Sequence, residues 1–241
     1  MPKAVITDID GTITDDRRRL SMDAVEEIRR LVYIGIPVVL ASGNTVCFLD
    51  TLSKMIGTDG TIIAENGGVY RYGYMGTQHI EGDRKLCLNA YQKIIDYFHP
   101  NGEELRLYSN DYRYSDVAFA RDVDVGEVQR LLAGMPVQVI DTGFAIHLQL
   151  PDISKGTALT KLSKLMNISP ADFLAVGDSV NDVPMLISAG IAVVPENASA
   201  EAQAVADDIM LNPFGKGTAE ALAQYFPRNE ISEFFSKSLE Y

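Results

Sequence analysis

Positive charge is scarce in this sequence. Its 241 residues include 33 acidic side chains and only 21 lysines and arginines, a formal net charge of -12. No stretch resembles a basic patch, which argues against a general nucleic-acid binder, because phosphate backbones are held by clustered cations. The same scarcity means that any anionic substrate needs a locally placed cation. Cysteine is almost missing: Cys47 and Cys87 lie far apart without metal-ligand spacing, which predicts two reduced, buried thiols in a cytoplasmic protein. Long apolar runs are missing too. The longest, LVYIGIPVVLA at 31–41, is broken by Gly35 and Pro37 and is too short to span a bilayer. Met-Pro-Lys leads straight into a strand-like segment, so no signal peptide is expected. With 46% hydrophobic and 22% charged residues, what is present is an ordinary globular composition. It suits one large domain, or a medium domain with a smaller insert.

Periodicity divides the chain into two rhythms. KAVITD (3–8), IPVVLAS (36–42) and TIIAE (61–65) are short β-branched runs of the kind expected for strands buried on both faces. Between them, Val25, Ile28, Leu31 and Val32 share a helical face after Ser21, and 45–57 reads as a helix closed by Gly57. Strand–helix alternation predicts a parallel sheet with helices on both faces. After Gly68 the rhythm changes to a helix at about 84–98, strands at 105–109 and 116–120, a helix near 124–133, and strands at 137–141 and 144–150. This αββαββ pattern predicts an inserted antiparallel sheet with one face exposed. From Lys155 the first rhythm resumes, with strands at 173–177, 191–195 and 208–211 and a terminal helical region after the loop 211–217. The expectation is an α/β fold: a discontinuous Rossmann-like core, 1–82 and 153–241, and a smaller α+β domain at 83–152.

Charged residues gather at predicted strand ends. Asp8 closes the first strand, where open parallel sheets bind ligands. If the backbone stays extended, Asp10 faces the same way. Two neighbouring carboxylates are costly without a cation or a shared proton, although an acidic turn capping a strand would look the same. A calcium loop is excluded, since its sixth and twelfth positions, counted from Asp8, are Ile13 and Arg19. In GDSVND (177–182), Asp178 and Asp182 are four apart at a helix start with Asn181 beside them. Each alone could be an ordinary cap, but with Asp8 and Asp10 at the same edge four carboxylates suit a hard divalent ion such as Mg²⁺. Lys155 opens a helix, where its charge opposes the dipole. It is either solvated surface or a partner for these acids and a phosphoryl oxygen. Ser42 with Gly43, Asn44 and Thr45 offers a hydroxyl and amides as an anion cradle, and Thr12 offers another hydroxyl.

DIDGT (8–12), ASGN (41–44), Lys155 in ISKG and GDSVND (177–182), in that order over nearly the whole chain, resemble the four motifs of the haloacid dehalogenase superfamily. The insert resembles the cap of its Cof-type, sucrose-phosphatase-like branch, and the DIDGTIT start looks most like the archaeal phosphoglycolate phosphatases there. That resemblance implies Asp8 as nucleophile, Asp10 as general acid and base, and Mg²⁺ held by Asp8, the Asp10 carbonyl and Asp178, with Asp182 nearby or bound through water. Phosphate contacts would come from Lys155, Ser42, Thr12, Gly43, Asn44 and Asn181. The partner is then a small phosphorylated metabolite such as 2-phosphoglycolate, with no nucleic acid or membrane and with a homodimer left open. A sugar-phosphate phosphatase, a phosphomutase and a phospho-accepting receiver domain are the alternatives. A cap closing over the edge would read the leaving group, with Arg106, Tyr112 and Arg113 as candidates. His147 reads as a sheet residue without catalytic duty, and Glu65 to Gly68 as either site lining or a turn.

Overall fold

The computed structural model describes residues 1–99 and 105–228. The chain runs β1 (Ala4–Thr7), α1 (Met22–Tyr33), β2 (Val38–Ala41), α2 (Val46–Ile56), β3 (Ile62–Ala64), β4 (Val69–Arg71) and β5 (His79–Ile80). It continues through α3 (Arg84–Phe98), β6 (Val117–Ala120), α4 (Val125–Leu131), β7 (Gln138–Asp141) and β8 (Ala145–Gln149). It closes with α5 (Lys155–Met166), β9 (Phe173–Val176), α6 (Val183–Ser188), β10 (Ile191–Val194), α7 (Ala200–Gln203), β11 (Asp208–Ile209) and α8 (Phe214–Tyr225). The terminal helical region corresponds to α8, and its continuation past 228 lies outside the described residues.

Eight strands form one sheet in the order β11-β10-β9-β1-β2-β3-β4-β5. From β11 to β3 all neighbours are parallel, and β4 and β5 add an antiparallel edge. The segment after Gly68, where the sequence shows only a change of rhythm, is what folds back as that edge. Strand alternation feeds two cores. Val5 packs with residues of α1, α2 and α8, while Ala4 and Ile6 pack with α5, α6 and α7. Local signals set the helix ends: Ser21 accepts from the Ala24 amide, and α2 stops at Gly57 with φ 104°.

The insert forms a separate antiparallel sheet, β6-β8-β7. Two expectations are corrected here. The run 105–109 is not a full fourth strand. Only Leu107 bridges to Phe119, flanked by Tyr108 N–H to Ala118 O and Ala120 N–H to Arg106 O, both 2.8 Å. The ladder stops because Ser109 takes the left-handed conformation, φ 51°, and turns the chain into a short 3₁₀ segment. Nor is one sheet face exposed. Val117, Phe119, Ile146 and Leu148 pack under α3 and α4, yet Ala118, Ala145, His147 and Gln149 on the other face are buried as well, because that face covers the edge of the large sheet. The thiols also differ from expectation: Cys87 is buried, but Cys47 sits on the outer side of α2 and is exposed. Among the described residues no helix is long and apolar enough to cross a membrane.

Candidate active site at the edge of the parallel sheet

Strand order reverses on either side of β1, and the site lies there. Thr7 is level with Val176 of β9 and Leu40 of β2, so the residues just past three strand ends converge: Asp8, Ser42 and the turn at Asp178. The Asp8 amide continues the ladder to Val176 O at 2.9 Å. Asp8, Asp178 and Asp182 each offer an oxygen within 4.8 Å of the others. Gly11 makes this approach possible. Its φ is 89°, and a Cβ there would stand 2.3 Å from Asp178 Oδ2.

Lys155 enters from α5, which packs against Ala4 and Ile6 of β1. Ser154 caps α5 and forms a capping box with Thr157, which makes Lys155 the first helical residue. Its Nζ donates to Asp8 Oδ1 at 2.5 Å and to Asp182 Oδ1 at 2.6 Å. The lysine and Asp182 are fully buried, so the cost of placing a cation at a helix start is offset by two carboxylates. Asp182 Oδ2 accepts from the amides of Asp178 and Ser179, both at 3.1 Å. Both Asp182 oxygens are therefore committed within the protein, whereas Asp8, which lines a cavity, keeps Oδ2 without a hydrogen bond among the described residues.

Charge balance here is negative. Burial raises the Asp8 carboxyl well above the usual range, Asp182 raises it further, and Lys155 opposes them. Burial and then Asp182 push Asp178 up to about 7. Burial alone would lower Lys155, but Asp182 and Asp8 outweigh it and hold the ammonium above the ordinary lysine value. One lysine does not neutralise this many carboxylates, and the donors are all hard oxygens. The set fits a divalent cation of the Mg²⁺ kind.

The remaining sequence candidates fall into distinct roles. The chain leaves β1 at Thr7 and bends, so Asp10 sits on a turn instead of continuing an extended strand. Its Oδ1 accepts from Arg18 Nε and its Oδ2 from Asn44 Nδ2, both at 3.0 Å. Ser42 is buried, and its Oγ accepts from the Asn44 amide and side chain. The Gly43 carbonyl accepts from Arg113 at 3.2 Å. Thr12, read as a phosphate contact, donates to Asp178 Oδ1 at 3.0 Å. Asn181 donates to Asn66 and lines the cavity.

That cavity, about 580 Å³, lies between the sheet edge and the insert, inside the size range of small-molecule sites. Asp8, Asp10 and Asp178 line its floor; Arg113 and His147 line it from the insert, whereas Arg106 and Tyr112 do not. Arg18, Tyr108, Phe144 and Asn197 line it too and were not singled out in the sequence. Nothing local marks them, because Arg18 becomes significant only through Asp10 and the Phe144 ring, 4.0 Å from its guanidinium. Glu65 proves to be a clamp. Buried on a left-handed turn with φ 51°, it accepts from the Tyr114 and Ser115 amides and from the Ser115 hydroxyl. It thereby fixes the loop carrying Arg113 and Asp116.

Residues 5–131 and 135–222 match the family described as haloacid dehalogenase-like hydrolase. The chain belongs to this hydrolase family. Among relatives, "phosphoglycolate phosphatase" of Methanoculleus marisnigri is 55% identical over 229 residues, covering 94% of this chain and 98% of that one. The protein of the same name from Methanospirillum hungatei is 46% identical over 227 residues, with 94% and 98% coverage. Solved structures also agree with this chain in three dimensions. A Thermoplasma acidophilum structure superposes with a TM-score of 0.83 at 24% identity, covering 93% of this chain and 98% of that one. A haloacid dehalogenase-like hydrolase from Bacteroides thetaiotaomicron gives 0.76 at 21% identity, covering 94% and 100%.

Proposed function

We propose that this hydrolase is a Mg²⁺-dependent phosphatase of small phosphate monoesters, with 2-phosphoglycolate as substrate, and that residues 83–152 act as its cap. The observation that carries the reading is the cluster of Asp8, Asp178, Asp182 and Lys155, whose Asp8 and Asp178 line the floor of a cavity. The name shared by the archaeal relatives supports the substrate.

In this reading Asp8 Oδ2 attacks phosphorus while Lys155 holds Oδ1 and keeps the carboxylate aimed. The alkoxide leaving group departs with a proton from Asp10, which faces the same cavity. The resulting aspartyl phosphate is hydrolysed by a water that returns its proton to Asp10, restoring Asp8 and releasing phosphate. Asp8, the Asp10 carbonyl and Asp178 would hold Mg²⁺, which supplies charge neutralisation for the transferring oxygens. Asp182 acts from behind, setting Lys155 and the Asp178 backbone. Ser42, Gly43, Asn44 and Asn181 contribute hydroxyl, amide and side-chain donors around the phosphoryl group, and Thr12 holds Asp178 in place. The insert excludes water from this edge.

The test is phosphate release by the purified protein from 2-phosphoglycolate, a sugar phosphate and an aryl phosphate, with Mg²⁺ and with EDTA. Release that needs Mg²⁺ and favours 2-phosphoglycolate is expected. No release from any ester would overturn the phosphatase reading, and a preference for the sugar phosphate would overturn the substrate.

A further inference from the structure

The insert carries a second buried ionic cluster, which the phosphoryl chemistry above leaves unused. Asp116 is fully buried at the start of β6, and its Oδ1 accepts from Arg113 Nη1 at 2.7 Å while its Oδ2 binds His147 Nδ1 at 2.8 Å. Because a carboxylate only accepts, the ring nitrogen donates, and Nε2 is left as the imidazole's remaining polar atom. Arg113 is further fixed by Nε to Tyr108 O at 3.0 Å and by Nη1 to Gly43 O at 3.2 Å. Its Nη2 has no hydrogen-bond partner among the described residues. Arg113 and His147 are 7% and 4% exposed, and the surface they keep lines the cavity opposite Asp8.

The rest of the cavity shows what such a pair would bind. Its floor is acidic, and Lys155 is fully buried beneath Asp8. Of the two arginines lining it, Arg18 is paired with Asp10. A leaving group with its own negative charge would be repelled from the floor, and Arg113, although paired with Asp116 through Nη1, keeps Nη2 unpartnered among the described residues to receive it. Asp116 and the two carbonyls hold the guanidinium in one orientation, so little side-chain entropy is lost on binding.

We propose that Arg113 and His147, oriented by Asp116, form a receptor for a carboxylate on the leaving group. The substrate class is then short phosphorylated hydroxy acids, in which the phosphoryl group meets Asp8 and the carboxylate meets the insert. This rests on the phosphatase reading above and assigns the residues that discriminate within it. Arg113 and His147 touch substrate; Asp116 is a positioning residue.

The experiment compares kcat/KM for 2-phosphoglycolate with that for 2-hydroxyethyl phosphate, which has the same length but no carboxylate, in the Mg²⁺-loaded wild type and in Arg113→Met and Arg113→Lys. A charge-assisted contact in a buried site predicts a wild-type preference of roughly 100-fold. The preference should collapse to within a few-fold of unity in Arg113→Met, chiefly through KM, and be intermediate in Arg113→Lys, which keeps charge but loses the fork. Should the variants fail to fold, the wild type alone still decides: glycolate should inhibit aryl phosphate hydrolysis competitively and ethylene glycol should not. A wild-type ratio near one, a full preference surviving in Arg113→Met, or no inhibition by glycolate would overturn the carboxylate receptor while leaving the phosphatase standing. Absence of phosphate release from either ester would instead overturn the phosphatase reading, and this assignment with it.

Discussion

Two buried ionic clusters face one cavity from opposite sides, and their carboxylates are balanced to different degrees. At the sheet edge, Asp8, Asp178 and Asp182 surround a single Lys155, and the carboxyls of Asp8 and Asp178 are raised. In the insert, a single Asp116 is shared by Arg113 and His147. Burial would raise that carboxyl, but the His147 hydrogen bond and the Arg113 charge outweigh it and hold it below the usual aspartate value. The same residue types therefore do different work. An excess of buried acid calls for a cation, while a guanidinium fixed by Asp116 with its Nη2 unpartnered among the described residues offers a charged donor to an anion. A phosphate ester with an acidic leaving group, bound with a divalent ion, would satisfy both.

The comparison can be broken most severely at Asp8. Asp8→Asn keeps the shape but removes the attacking oxygen, and kcat for phosphate release should fall by about 10,000-fold or more. A folded variant with measurable turnover would remove Asp8 as nucleophile. Lys155→Met comes next. It leaves the Asp8 and Asp182 carboxylates buried without their cation, so metal-free protein should lose about 3–5 kcal/mol in denaturant unfolding, with Mg²⁺ restoring part of the loss. Unchanged stability would mean the edge does not need the charge.

A smaller effect separates the insert by pH. The folded-state carboxyl of Asp116 is depressed, so the stability it contributes is present above the ordinary aspartate value and lost as pH falls from there through the folded value. Amide exchange in β6 and β8 should accelerate on that acid limb in the wild type, and Asp116→Asn should flatten the dependence. An identical acid limb in the variant would show that Asp116 does not carry it. The smallest effect concerns the thiols. Burial, and then Asp116 and Asp83, push Cys87 up to about 12, so it stays a neutral, inert thiol. A thiol reagent should modify Cys47 alone in native protein and both cysteines after unfolding; native modification of Cys87 would show the insert to be looser than described.

The edge of the parallel sheet was legible because its chemistry is local. Each acid directly follows a strand or opens a helix, and the parallel rhythm alone brings Asp8 and Asp178 together. Lys155 was legible for the same reason, as a cation at a helix start. Fine roles were not. The hydrogen bonds of Thr12 and Asp182, to Asp178, to Lys155 and to backbone amides, are long-range or conformational and have no mark in the sequence. The insert was harder to read because its meaning is long-range. DVAFA begins with an aspartate that resembles a solvated strand start, and only the fold buries Asp116 against His147, 31 residues away. His147 itself alternates with apolar neighbours just as a plain sheet residue would. Strand counting failed at 105–109 for a conformational reason, the left-handed Ser109, which β-propensity does not report.

The account stands most directly on a covalent bond at Asp8. Wild type and Asp10→Asn, mixed with Mg²⁺ and 2-phosphoglycolate and quenched in acid during turnover, can be digested and read by mass spectrometry. The account predicts one phosphoryl group on the peptide that contains Asp8, localised to Asp8, in the wild type, and slower phosphorylation of the same residue in Asp10→Asn. Phosphate release with Asp8 unmodified throughout, or a phosphoryl group on another residue, would contradict it.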